Sequence, residues 1–248
     1  MQSYEYLTMR RCEEDYWWYT GLRDLVLTMI RPCGTFVSSA KFLDVGCGTG
    51  GNLAFLAKIF SSVELYGLDI SPLAISISRA RNRGFLLQAS AHQLPFGEGI
   101  FDMTFSLDLL YIQGVNDLQV LRECHRTLKS EGLLVVNVPA FEFLRSTHDL
   151  AVATRHRYTR EEIRSKLISV GFQVNRVTYW NGLLFPFIFL IRKFKGPKTL
   201  SSLPTSDLKP LPSFVNKTLK FLLRLEKAIL SLIDMPFGTS VLAIAKKV

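Results

Sequence analysis

The sequence predicts an α/β fold, a doubly wound and mostly parallel sheet whose strands are joined by crossover helices. Two observations carry this. Short apolar, β-rich runs alternate with helical patterns along most of the chain, as expected when each parallel strand needs a crossover connection. A glycine-rich turn also follows the first clear strand directly and opens a helix, the arrangement of an α/β unit that receives a ligand at a helix N-terminus.

The elements follow in order. Lys41 to Val45 reads as a strand, Gly46 to Gly51 as the glycine turn and Asn52 to Phe60 as a helix. Val63 to Leu68 is the next strand; Pro72 to Asn82 is a helix with Ser71 as N-cap and Pro72 in its first turn, both favoured there. Phe85 to Gln88 and Phe101 to Ser106 are strands three and four, and Asn116 to Leu128 is a helix. Leu133 to Val138, between Glu131-Gly132 and Pro139, is the fifth strand. Thr159 with Glu162 forms a capping box, Gly171 ends that helix, and Phe172 to Tyr179 is the sixth strand. Ser240 to Lys246 alternates as a seventh that pairs back antiparallel. Between the last two lie an aromatic-aliphatic run (GLLFPFIFLI), a Pro/Ser/Lys-rich loop (KGPKTLSSLPTSDLKPLP) and a helix from Ser213 to Ile233. This stretch interrupts the α/β pattern and reads as an accessory layer or lid.

Composition bounds the chemistry. Of 248 residues 48% are hydrophobic, enough for a sizeable core. Cys12, Cys33, Cys47 and Cys124 are scattered, so neither a zinc cluster nor a disulfide framework is expected, and no metal site is assigned. A reducing, cytoplasmic setting is expected, and the polar, aromatic start has no apolar segment of the kind that signals secretion. Charge is uneven. From Arg192 onward there are 11 Lys/Arg against 3 Asp/Glu, leaving 19 against 18 for the rest. A basic section on a neutral body favours a localised anionic partner, either a membrane surface or a phosphate-bearing molecule.

The strongest motif is Asp44-Val-Gly46-Cys47-Gly48-Thr-Gly50-Gly51. Glycines let the backbone turn sharply and approach a ligand. Gly46, Gly48 and Gly51 alone also satisfy the loose GxGxxG dinucleotide pattern. Asp44, just before the turn, would repel a pyrophosphate but order a cationic ligand, and Asp69 ends the next strand where both hydroxyls of a ribose can be held.

Together these segments resemble the class I (Rossmann-like) S-adenosylmethionine-dependent methyltransferases of the type 11 sort. Asp44 to Gly50 resembles their first motif and Gly67-Leu-Asp69-Ile70-Ser71 their second. Gln88-Ala-Ser90-Ala91-His-Gln-Leu-Pro-Phe with Phe101-Asp102 resembles the adenine-side segment, and Leu107-Asp108-Leu109-Leu110 and Leu128 to Val136 resemble the strand-four and strand-five regions. The resemblance implies a Rossmann-like, seven-stranded fold and S-adenosyl-L-methionine as cofactor. Asp44 and Gly46 would line its methionine end, Asp69 would bind its ribose, and Ser90 and Ala91 would border its adenine, with Cys47, Gly48, Gly50, Ile70 and Ser106 as further cofactor-binding candidates. Ser90 stands where many relatives have Asp, and Tyr111-Ile112 replaces a common Glu-His.

Glu14-Asp-Tyr-Trp-Trp18-Tyr19 with Arg23, and Val138-Pro-Ala followed by His148-Asp149 and Arg155-His156-Arg157-Tyr158, resemble segments of a bacterial subgroup. Trp18 or Tyr19 could face the sulfonium by cation–π attraction or simply pack in the core, while Arg23 would belong to the same cofactor-side cap. His148 and His156 lie just past strand five and are candidate bases for a hydroxyl acceptor; capping or ion pairing beside Arg155 and Arg157 is the alternative. The expected organisation is one methyltransferase domain: residues 1–39 a helical cap, 40–181 the cofactor-binding core, 182–238 the insertion and 239–248 the last strand.

The expected activity is methyl transfer to a small-molecule or lipid-linked acceptor, at oxygen. Rival readings are an NAD(P)-dependent oxidoreductase, disfavoured by Asp44, and a non-catalytic membrane-associated binding module. Nucleic acid is an unlikely partner, because strand four ends in Ser-Leu-Asp-Leu and the basic residues sit within apolar sequence. An anionic membrane surface is the candidate macromolecular partner, met peripherally at the inner face. Gly46→Val and Asp69→Ala should each lower S-adenosylmethionine affinity roughly ten-fold or more, since a hydrogen bond to a charged group contributes roughly 1.5–3 kcal/mol; calorimetric titration of the folded variants checks this.

Overall fold

A computed structural model describes residues 3–33, 39–81, 84–195, 208 and 211–248. Helices α1 (Ser3–Cys12) and α2 (Trp17–Ile30) precede β1 (Lys41–Val45), α3 (Gly51–Ile59), β2 (Glu64–Asp69), α4 (Pro72–Arg79) and β3 (Phe85–Gln88). Then come β4 (Phe101–Leu107), α5 (Asp117–Thr127), β5 (Leu128–Pro139), α6 (Thr147–Ala151), α7 (Arg160–Val170) and β6 (Phe172–Trp180). Helices α8 (Phe185–Lys195) and α9 (Ser213–Leu230) separate β6 from β7 (Ser240–Lys247). The strands form one sheet of seven in the order β3-β2-β1-β4-β5-β7-β6. All pairs through β5 are parallel, whereas β7 is antiparallel to both β5 and β6. This is the doubly wound, Rossmann-like sheet with an antiparallel last strand.

The central strands read as apolar runs because both faces are covered. Phe42, Leu43 and Val45 of β1, Met103 and Phe105 of β4, and Val135 and Val136 of β5 are buried, and the Phe42 and Phe105 rings meet edge to face at 6.0 Å. On α2, Leu22, Leu25, Val26, Met29 and Ile30 recur at helical spacing and join this core. Leu223 of α9 packs against Gly21 of α2, so the segment after β6 returns to cover the N-terminal helices.

The caps expected from sequence are present: Ser71 accepts from the Ala74 N–H and Thr159 from Glu162; Asn116, read as the first residue of its helix, instead caps it by accepting from Gln119. Three boundaries differ by three residues or more, the first being the end of α4 at Arg79 rather than at Asn82. β5 begins at Leu128, running through Glu131 and Gly132 as an irregularity, with Glu131 at φ +65° and a register shift against β4. α9 stops at Leu230, three residues short of Ile233, where the Arg176 guanidinium takes the Leu230 and Ile233 carbonyls and pairs with Asp234 at 2.6 Å. Most of the Pro/Ser/Lys-rich loop and Asn82, expected to end a helix, lie outside the described residues.

Past β5 the chain is held by a buried ion pair. Arg157 grips Asp149 through two bonds of 2.8 and 3.0 Å and donates to the Ala140 carbonyl at 3.0 Å. Asp149 also accepts from the Ser146 N–H at 2.7 Å, which starts α6. Arg157 keeps the Asp149 carboxyl below its ordinary range against the opposing effect of burial, which is the larger single influence. Arg157→Ala would strand that carboxylate, and a broken buried pair costs about 3–5 kcal/mol; the urea unfolding midpoint should fall accordingly, and much less for a variant replacing both partners by apolar residues.

Candidate active site

The site begins where β1 and β2 end side by side, Val45 in register with Leu68. Gly46, Gly48 and Gly50 turn the chain with φ of +79°, +52° and +77°, a left-handed backbone costly for residues with a Cβ. The Gly46 and Cys47 N–H groups both donate to the Leu68 carbonyl at 2.9 Å, tying the turn to β2. Asp69 completes the tie, accepting from the Gly48 N–H at 3.0 Å and the Ser71 N–H at 2.8 Å. A carboxylate has about four acceptor sites, so Asp69 keeps capacity for a ligand.

Asp44 lies beneath this turn, 1% exposed, and its Oδ2 has no hydrogen-bond partner among the described residues. Burial pushes its carboxyl up to about 7, with Asp69 adding to the rise and Arg23 opposing it. A buried, unsatisfied acceptor of this kind is completed by a cationic or hydrogen-bond-donating ligand group. Cys47 is also buried, and burial followed by the two carboxylates raises its thiol further.

The N-terminal helices close over the turn. Glu13, buried between α1 and α2, accepts from the Thr49 hydroxyl at 2.8 Å and pairs with Arg81. Arg23 donates to the Glu13 carbonyl at 2.6 Å and to Asn52 Oδ1 at 3.0 Å. A Cβ at Gly51 would meet Glu13 and Arg23 at 2.1 and 2.4 Å. Those atoms end flexible side chains, so the cap's close approach favours a glycine there without requiring one, a reading the GxGxxG pattern does not suggest. Arg23 holds the cap to the turn, and Met9 of α1 sits over Gly48.

A second group of side chains gathers at the ends of β4, β5 and β6. Asp108 follows β4 at φ +65°, and its Oδ1 accepts from Asn137 Nδ2 at 3.0 Å. Asn137 in turn accepts from the Trp180 indole N–H at 2.8 Å, and Trp180 packs on Trp18 at 5.6 Å. Trp18 meets Tyr19 edge to face at 5.2 Å. Burial pushes the Asp108 carboxyl up to about 7, with the Asn137 hydrogen bond opposing. The Tyr19 phenol is raised by burial, Glu13 and Asp108, and the Tyr111 phenol by burial, Asp108 and Tyr19. Sequence reading missed Asp108, Asn137, Trp180, Glu13, Thr49 and Arg81 as site residues; the one available signal was a carboxylate set among leucines at a strand end.

The remaining sequence candidates are placed as follows. Ile70 is exposed directly beside Asp69, and Ser106 is buried on β4 with no hydroxyl partner among the described residues. Ser90 and Ala91 follow β3; the Ser90 hydroxyl accepts from the His92 N–H at 3.2 Å. His148 is half-buried on α6. The segment after α6 packs on the Tyr111 loop through the Ile112–Thr154 bridge and the bond from Arg155 N–H to the Tyr111 carbonyl at 2.7 Å. His156 stands at the start of α7 between Glu142 and Glu162, 3.5 and 2.9 Å away, edge-on to Tyr158.

A glycine turn, two strand-end carboxylates and a 3-2-1-4-5-7-6 sheet define an S-adenosylmethionine-binding class of α/β protein. Residues 43–136 match the family model described as "Methyltransferase domain", and the sheet has the topology of the class I, Rossmann-like methyltransferase fold. It is 34% identical over 101 residues to a demethylmenaquinone methyltransferase of Thermotoga maritima, covering 40% of this chain and 44% of that protein. It is 34% identical over 131 residues to a trans-aconitate 2-methyltransferase of Deinococcus radiodurans, covering 49% and 46%. The chain thus spans less than half the length of these curated relatives. A crystal structure of a putative sarcosine dimethylglycine methyltransferase from Galdieria sulphuraria shares the fold, with TM-score 0.62 and 17% identity over 91% of this chain and 85% of that one.

The residues present fit S-adenosylmethionine: the orphaned Asp44 oxygen suits its ammonium group, the open turn its close approach, and Asp69 its ribose. Raised to about 7, Asp44 makes the folded chain hold a proton more tightly than the unfolded one. The stability so gained is full below the ordinary value of 3.8 and is lost as pH rises through about 7. Cofactor binding, which favours the carboxylate, should release a proton near neutrality and tighten as pH rises from about 6 to 8. Calorimetry in buffers of different ionisation enthalpy reads this directly, and Asp44→Asn should remove most of the effect.

Proposed function

We propose that the chain methylates a hydroxyl oxygen of a small-molecule or lipid-linked acceptor, bound where β4, β5 and β6 end. The observation that carries this reading is the half-buried Asp108 carboxyl at the end of β4, held by Asn137 and raised toward neutrality by desolvation. S-adenosylmethionine, when bound, supplies a methyl group already activated by its sulfonium, so the chain's own tasks are positioning, dehydration and proton removal. Asp44 and Asp69 fix the donor side. Trp18, Tyr19, Tyr111 and Trp180 surround the acceptor side with aromatic surface, excluding water and presenting ring faces that attract positive charge. The Asp108 carboxylate would take the acceptor's proton as the acceptor oxygen bonds the methyl carbon, the donor's sulfur–methyl bond breaking to leave a neutral thioether, and would later return that proton to solvent. A group with its pKa near the working pH is the efficient choice for such a transfer.

His148 is the second candidate base, favoured by the packing of its segment on the Tyr111 loop. His156, between two glutamates, has a ready structural role and is the weaker candidate. Asp108→Asn should leave cofactor affinity near wild type, cut turnover by roughly 10²–10⁴ and abolish the rise in rate as pH passes through about 7. If His148→Ala produces that loss and Asp108→Asn does not, the proton goes to the histidine. Products formed from host lipid and aqueous extracts with labelled S-adenosylmethionine identify the acceptor and the atom methylated; a carbon- or nitrogen-methylated product would overturn the oxygen assignment.

A further inference from the structure

Helix α9 is apolar on two sides, and the fold covers only one. Leu223, Glu226 and Leu230 are buried, Leu223 against α2 and Glu226 beneath the turn after β6, where its carboxylate accepts from the Asn181 N–H and from the Leu183 N–H at 3.0 Å. Phe214, Phe221 and Leu225 fall on the opposite line at spacings of seven and four residues, which 3.6 residues per turn align, and Leu232 follows just past the helix end. The four are 79%, 57%, 45% and 84% exposed. α8 does the same on a smaller scale, with Phe187, Leu190 and Ile191 exposed at helical spacing. The Phe185 and Phe237 rings, 5.3 Å apart, join α8 to the segment that follows α9. Contiguous apolar surface of this kind marks an interaction site.

Charge selects the partner. Lys217 and Arg224, seven residues apart, are exposed along one flank of the α9 stripe. Lys220 is held by Asp15, and Lys227 is half-buried. The section from Arg192 onward carries 11 basic against 3 acidic residues. No helix of the described residues is long and apolar enough to cross a membrane. A helix with an exposed apolar line edged by cations suits a position in the plane of a bilayer interface, side chains in the acyl boundary and cations at the phosphates.

We propose that the exposed faces of α8 and α9 dock on an anionic lipid bilayer. The same α9 secures Asn181 and Leu183 through Glu226, next to Trp180 of the acceptor wall, so docking holds that wall at the lipid boundary. This assignment stands on surface geometry and charge and does not depend on which atom is methylated.

Vesicle flotation tests it with the intact chain, using phosphatidylcholine vesicles with and without phosphatidylglycerol. The wild-type chain should float with the phosphatidylglycerol vesicles at low salt, with affinity falling roughly ten-fold or more at high salt as the charges are screened. Phe221→Ser/Leu225→Ser/Leu232→Ser should lose flotation on both vesicle types, and Lys217→Gln/Arg224→Gln should lose the preference for anionic lipid. Both variants should keep wild-type circular dichroism and S-adenosylmethionine affinity, which separates failure of docking from failure of the cofactor site. Absence of wild-type flotation on anionic vesicles overturns the proposal. So does a lipid-free wild-type dimer in sedimentation velocity that the serine variant dissociates, which would give the face to a second copy.

Discussion

Two acids at the ends of adjacent parallel strands create the electrostatic problem that the surrounding architecture answers. Asp44 and Asp69 are brought together because β1 and β2 run in parallel register, and burial makes both reluctant to ionise. Asp69 is relieved by backbone N–H groups from the glycine turn and from the start of the next helix. Asp44 is left with an unanswered oxygen. That asymmetry separates the two: one carboxylate braces the turn, and the other keeps an oxygen with no hydrogen-bond partner among the described residues.

The cap and the sheet share their fastening points. Glu13 reaches the turn through Thr49 and α4's end through Arg81, while Arg23 spans cap and α3. On the acceptor side a single line of contacts runs from Trp18 in α2 through Trp180 and Asn137 to Asp108. A shift of the cap would therefore be felt at both carboxylate centres. This coupling is carried by named hydrogen bonds and one aromatic contact, not by general compactness.

What could be read from the sequence was local. The strands, their helices and caps emerged from periodicity, and the glycine turn with Asp44 and Asp69 emerged because these residues lie within one β-α-β unit. The Asp108 group was illegible for the converse reason. Its members, Trp18, Asp108, Asn137 and Trp180, meet only after β5 and β6 have taken their places beside β7 and α2 has folded across them. Gly51 was legible as a glycine but not for its cause, since the atoms that would crowd a side chain there belong to Glu13 and Arg23. α9 shows a third kind of limit: its composition announced an amphipathic helix, yet with apolar residues on two lines only tertiary packing decides that Leu223 and Leu230 turn inward while Phe221 and Leu225 do not.

The insertion of β7 between β5 and β6 has a consequence for the order of assembly. β6 has no other strand neighbour, so its ladder cannot form until the chain has run through α8 and α9 and come back. Closing so long an excursion must be met entropically before the pairing rewards it, and such non-local pairing slows folding. Until then Trp180 lacks its place beside Asn137, and the acceptor side is unbuilt. The half of the sheet that begins at β1 is free of this delay, because each of its crossovers is short. The β1 side and the β6 side of the sheet are thus separable in the order of folding.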